Sequence, residues 1–99
     1  MNARAQEALA MIEACVASGR YLVLQHFTRR MDERGLFWPD ILAVLDSASA
    51  VMDGGKDDLN RPRWLVTGKT TGGLRIEIVC VLDKGPSGQW TVCITAYWK

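Results

Sequence analysis

Two periods divide the chain. Over residues 3–18 the apolar positions Ala5, Ala8, Leu9, Ile12, Cys15 and Val16 recur at steps of three and four. That spacing predicts an amphipathic helix with one buried stripe. Gly19 is placed to end it, because glycine adopts the left-handed conformation that closes helices. YLVLQ, residues 21–25, is a short apolar run read as an extended segment. A second helix is expected over about 26–34, stopped by Gly35. Trp38-Pro39-Asp40 opens a third, since proline fits the first helical turn, where its missing N–H costs nothing. Asp40 then sits at the positive end of the helix dipole, and Ile41, Leu42, Val44, Leu45 and Ala48 form the buried side. DGGKDDLNRP, residues 53–62, is expected to be a mobile, turn-rich loop.

After Pro62 the period changes to two. Residues 63–69, 74–82 and 90–98 read as strands joined by short glycine-containing connections, which favours antiparallel hairpins. Helices followed by a meander predict an α+β fold, with the helices packed on one face of a small antiparallel sheet. Alternation assigns Trp64, Val66, Leu74, Ile76, Ile78, Cys80, Leu82, Trp90, Val92, Ile94, Ala96 and Trp98 to the core. It assigns Arg63, Thr67, Lys69, Arg75, Glu77, Thr91, Thr95 and Tyr97 to a polar face. On this assignment Cys80 and Cys93 fall on opposite faces and do not form a disulfide.

Ninety-nine residues suit a single domain. The net charge of +1 says little, but its distribution says more. Residues 1–60 carry 6 basic and 9 acidic side chains, a net of −3, whereas residues 61–99 carry 6 and 2, a net of +4. The C-terminal part is therefore where an anion is expected to bind. Cys15, Cys80 and Cys93 lack metal-ligand spacing, so no metal cofactor is expected and a reducing cytoplasm is the natural setting. No signal peptide and no membrane span are read.

Candidate chemistry centres on HFTRRMDERG, residues 26–35. His26, the chain's one histidine, is followed at four and eight residues by Arg30 and Arg34, which places all three along one helical face. Neither Asp32 nor Glu33 shares that stripe, so the arginines are expected to be uncompensated, with Asp57 and Asp58 as candidate partners from the neighbouring loop. Imidazole suits proton transfer near neutrality, and guanidinium suits an oxyanion or phosphate. The bland reading, of a packing histidine and solvated arginines, carries comparable weight. On the polar face Thr95 and Tyr97 point the same way as Arg63, Lys69 or Arg75, a set able to grip phosphate and protonate a leaving oxygen. The glycine patterns of nucleotide-binding loops and the spaced histidines of zinc hydrolases are absent. Trp38 and Trp98 are candidates for partial exposure and partner contact.

His26, Arg30-Met31, Arg34-Gly35-Leu36, Asp40-Ile41, Arg63-Trp64-Leu65-Val66 with Gly68, and Thr95-Ala96-Tyr97 together resemble the bacterial domain-of-unknown-function family 4258. The resemblance covers residues 21–98, so the domain reads as a family-like core, residues 20–98, with an additional N-terminal helix, residues 1–19. Phe27 stands where that pattern has a small residue, and Trp38 where it has a capping Ser or Thr. The family is similar to the RelE and barnase-like toxins, which implies a RelE-like fold and a toxin of a toxin–antitoxin pair that cleaves RNA without metal. On that resemblance His26 is the base, Arg30 and Arg34 hold phosphate, and Tyr97 is the acid or a stacking residue. Thr95, Arg63, Lys69 and Arg75 bind the flanking substrate. Implied partners are RNA, including ribosome-bound mRNA, and a cognate antitoxin. A second copy of the chain is a further candidate through the N-terminal helix. The rival reading is a non-catalytic protein-binding module.

Overall fold

The computed structural model describes residues 2–85 and 88–98; within the last strand, the side chains of residues 89–95, 97 and 98 lie outside the description. The elements are α1 (Ala3–Ala17), β1 (Tyr21–Val23), α2 (Gln25–Glu33), α3 (Trp38–Asp46), β2 (Ala50–Lys56), β3 (Pro62–Lys69), β4 (Arg75–Gly85) and β5 (Gly88–Trp98). The five strands form one sheet in the order β1-β5-β4-β3-β2. All neighbours are antiparallel except β1, which runs parallel to β5. The fold is α+β, as the change of period predicts.

Each helix contributes its apolar stripe to one core. α1 buries Ala5, Ala8, Ile12 and Cys15; α2 buries Phe27 and Met31; α3 buries Ile41, Val44 and Leu45. They meet Trp64, Val66, Ile76, Ile78, Cys80 and Ala96 from the sheet. Helix α1 packs against β5, β2 and α3, so it is additional to the resemblance but integral to the core. Asn2 caps α1, its side chain accepting from the Ala5 N–H at 2.8 Å. Asp40 caps α3: its Oδ2 accepts from the Phe37 N–H at 3.0 Å, and its Oδ1 from the Thr71 hydroxyl at 2.8 Å. These two bonds, the Phe37 amide first, hold the Asp40 carboxyl below its usual range. The second ties α3 to the β3–β4 turn.

Three expectations are corrected. Residues 53–56 of the segment read as a mobile loop are the second half of β2, which pairs with β3 from Ala50↔Thr67 to Lys56↔Pro62. Its strand character was hidden because Gly54 and Gly55 sit in a bulge between Asp53 and Lys56, where glycine is needed. Gly55 has φ 81°, and a Cβ on Gly54 would stand 3.2 Å from the Arg63 carbonyl oxygen.

The second correction concerns parity. Val79 pairs with Thr95 but Cys80 pairs with Cys93, so Ile94 is an extra residue in β5. A bulge reverses alternation on one strand only. Cys80 and Cys93 are therefore register partners, and the argument that set them on opposite faces does not hold. Cys15 and Cys80 are both fully buried. The core assignments of Trp90, Val92, Ile94 and Trp98, and the polar ones of Thr91, Thr95 and Tyr97, concern side chains outside the described residues.

Third, Leu74 precedes β4 and is 58% exposed rather than in the core. On the other face of the sheet Val79 and Val81 are buried, as is Thr67, so that face has an apolar floor and is not uniformly polar. The unbroken apolar run from Ile78 to Leu82 is the sequence signal for a strand covered on both sides. Among the described residues no helix is long and apolar enough to cross a membrane.

Candidate functional site

Helix α2 is short and strongly two-sided. Phe27 and Met31, four residues apart, anchor it against the sheet, with contacts to β5. His26 precedes Phe27 and is exposed, and among the described residues it makes no hydrogen bond or ion pair. Arg30 is half-buried and donates from Nη1 to Glu33 Oε2 at 3.0 Å. The expectation that no carboxylate compensates it is thus corrected: residues three apart are neighbours on a helix. Arg34 is half-buried and forms the C-cap, its N–H donating to the Arg30 and Met31 carbonyls at 3.1 Å. Asp57 does not reach the arginines of α2, because Arg61 holds it.

Register locates this helix along the sheet. β1 pairs Tyr21↔Thr91, Leu22↔Val92 and Val23↔Cys93, then stops. Beyond Cys93, β5 continues to Trp98 without a strand on that side. The chain enters α2 at Gln25, two residues after Val23. His26 therefore starts level with the C-terminal half of β5, the half that contains Thr95 and Tyr97. These two pair with Val79 and Glu77, positions on the helix-free side of β4.

The proposed cations divide into two places. Lys69 and Arg75 are direct cross-strand partners, both exposed, at the end of β3 and the start of β4. Like charges directly opposite repel each other, so an anion bound between them is favoured. Glu77, paired with Thr67 and Tyr97, is one step further in. Arg63 stands six residues back along β3, about 20 Å away at strand spacing. Its Nε donates to the Gly54 carbonyl at 2.8 Å. One phosphate cannot bridge Arg63 and Lys69.

The structure also contains a charged cluster that sequence reading missed. Asp57 Oδ1 accepts from the N–H groups of Leu59 and Arg61 at 3.1 and 2.8 Å. Its Oδ2 accepts from Arg61 Nε and Nη2 at 2.8 and 2.7 Å. Arg61 Nη1 reaches Asp83 Oδ2 on β4 at 2.9 Å. The Arg61 guanidinium holds the Asp57 carboxyl below its usual range, and the carboxylates raise Arg61 in return. This cluster fixes the β2–β3 turn. The only sequence hint is an Asp and Arg four apart within a turn-forming stretch.

Trp38 is half-buried and stacks on Tyr21, with centroids 5.2 Å apart and planes at 23°. It joins α3 to the edge strand, a packing role. No group of histidine, cysteine or carboxylate side chains that could hold a metal is found among the described residues.

No curated protein and no solved structure matches the chain. A family model matches residues 23–98, from the last residue of β1 to the last residue of β5, leaving α1 outside the match. The chain thus belongs to the family described as "domain of unknown function (DUF4258)".

Proposed function

We propose that this chain is a metal-independent ribonuclease of the RelE-like toxin kind, acting in the bacterial cytoplasm and held in check by a cognate antitoxin. The single observation that supports the reading is the β1–β5 register, which starts α2 level with the half of β5 containing Thr95 and Tyr97; because these two pair with positions on the helix-free side of β4, the reading requires the RNA to pass round the sheet edge beyond β1 to meet both His26 and Tyr97. His26 is exposed and uncommitted there, as a general base must be. His26 takes the proton from a ribose 2′-hydroxyl, and the 2′-oxygen attacks the adjacent phosphorus. The P–O5′ bond breaks, Tyr97 gives its phenolic proton to the leaving oxygen, and a 2′,3′-cyclic phosphate remains. Arg30 and Arg34 neutralise the charge that builds on the phosphoryl oxygens. Thr95 donates a hydrogen bond, and Lys69 with Arg75 holds a neighbouring phosphate of the strand.

One observation favours the alternative, a protein-binding module without chemistry: Arg30 is already neutralised by Glu33. The two readings separate in a direct assay. The purified chain is incubated with a labelled RNA in EDTA, with and without translating ribosomes. Cleavage leaving a cyclic phosphate, reduced about 10²- to 10⁴-fold by His26→Ala, is the expected result. Intact RNA in both conditions, or equal cleavage by parent and variant, overturns the nuclease reading.

A further inference from the structure

Between the N-terminal half of α1 and the ends of β3 and β4 lies a cavity of about 490 Å³, a size that suits a small molecule. Ala8, Met11, Pro62, Trp64 and Leu82 give it apolar walls. The sequence accounts for the space. α1 meets the sheet here through Ala5 and Ala8, whose side chains are too small to fill the room beside a tryptophan. The rim is fixed, because Arg61 on it is held by both Asp57 and Asp83. A cavity formed in advance lowers the ordering cost of binding.

Donors exceed acceptors around this cavity. Trp64 is 4% exposed, and its indole Nε1–H is buried and meets no acceptor among the described residues. A buried donor without a partner costs its desolvation and is uncommon in folded proteins. The Arg4 guanidinium lies over the same ring, 5.3 Å from its centroid, close enough for one carboxylate to accept from both groups. Arg4 also pairs with Asp53, but the two side chains are 64% and 46% exposed, and such pairs contribute little. Lys84, on the rim, is exposed and makes no ion pair among the described residues. Asp83 is committed: its Oδ2 accepts from Arg61 and its Oδ1 from the Lys84 N–H. Among the lining residues that leaves Glu7 as the uncommitted carboxylate, against Arg4, Lys84 and the indole N–H.

We propose that this cavity binds a small aromatic carboxylic acid. Its ring lies against Met11, Pro62 and Leu82, a thioether and apolar surface that suit an aromatic body. Arg4 turns from Asp53 and uncovers the indole, and the carboxylate accepts from Arg4 and from the Trp64 N–H. Lys84 adds positive potential at the entrance. The site stands at the opposite end of β3 and β4 from Lys69 and Arg75, so it does not rest on the ribonuclease reading.

Nuclear magnetic resonance titration of the isotope-labelled full chain with naphthoate, read at the assigned indole N–H signal of Trp64, tests the site. The signal should shift and saturate with a Kd below about 1 mM. Naphthylmethylamine, the same ring with the opposite charge, should bind at least about tenfold more weakly. Arg4→Gln should weaken naphthoate about tenfold with the melt near the parent's, because Arg4 is exposed. Glu7→Gln should leave the affinity equal or tighter, and Ala8→Leu, which fills the cavity, should abolish binding. A Trp64 signal that does not move overturns the proposal. So does equal affinity for the amine, or Arg4→Gln without effect. Weaker binding by Glu7→Gln, or undiminished binding by an Ala8→Leu chain that melts like the parent, overturns it as well.

Discussion

Arg30 and Glu33 form a 3.0 Å ion pair on the exposed side of α2, so the first arginine after His26 is held by a carboxylate from its own helix. Both side chains are about half exposed, and such pairs contribute little to stability, about 0.3–0.5 kcal/mol. Their effect on a bound anion is larger, because the carboxylate competes for the same guanidinium. Glu33→Gln should therefore tighten binding of a short RNA or polyphosphate severalfold at low salt. The melting temperature should move little. Fluorescence anisotropy at two salt concentrations reads the first, and thermal denaturation the second. Unchanged or weaker binding would show that Arg30 is not an anion contact.

Helix α1 lies outside the family match, yet Ile12 within it is fully buried. Truncation of such a residue removes its transfer energy and leaves a cavity, about 2–5 kcal/mol together. That is a large part of what a small domain possesses. Ile12→Ala should shift the urea unfolding midpoint accordingly, and removal of residues 2–18 should leave the remainder unfolded by circular dichroism. A truncated chain that melts cooperatively would show the family-matched segment to be self-sufficient.

Gly68 lies in β3 where α3 crosses it. A Cβ there would stand 3.0 Å from the Val44 carbonyl oxygen and 3.2 Å from its Cγ1. The first neighbour is helix backbone, which cannot swing aside. Gly68→Ala should therefore push α3 off the strand and cost about 1–3 kcal/mol. Chemical denaturation measures it. Gly72→Ala, in the β3–β4 turn with 3.9 Å of clearance, is the control and should stay near the parent.

The helices were legible because each carries a single apolar stripe, with Gly19 and Gly35 as stops for the first two and Pro39 as the start of the third. Strands β3 and β4 were legible from their alternation and their glycine turn. β2 was not, since Asp53-Gly54-Gly55 reads as a turn unless one knows that β3 lies alongside to accept a bulge. The register of β5 was not either, because one inserted residue at Ile94 reverses parity without any local mark. At the candidate site, spacing placed His26 and Arg30 within α2, whereas Arg34 falls on its C-cap, one residue beyond the helix. The Arg30–Glu33 pair was missed by following one stripe and ignoring its neighbour at i+3. Placing Arg63 and Lys69 in one set ignored the length of a strand, which distance along the chain would have supplied.

Three aspartates govern the acid limb of stability. The Asp40, Asp53 and Asp57 carboxyls are all held below their usual range: Asp40 first by the Phe37 amide, Asp53 first by the Gly55 amide, Asp57 first by the Arg61 side chain. A carboxyl whose folded pKa is depressed binds protons more readily in the unfolded chain. Its contribution is complete above the unfolded value of about 3.9 and is lost as pH falls through the folded one. Unfolding free energy should therefore be flat on this account from pH 7 to about 5, then decline steadily toward pH 2. Asp57→Asn removes the clamp on the β2–β3 turn. It should lower stability at pH 7 and shrink the difference from the parent as both are taken to pH 2. Urea titrations at each pH make the comparison, and parallel curves across the acid range would show that the Asp57–Arg61 pair contributes no linked protons.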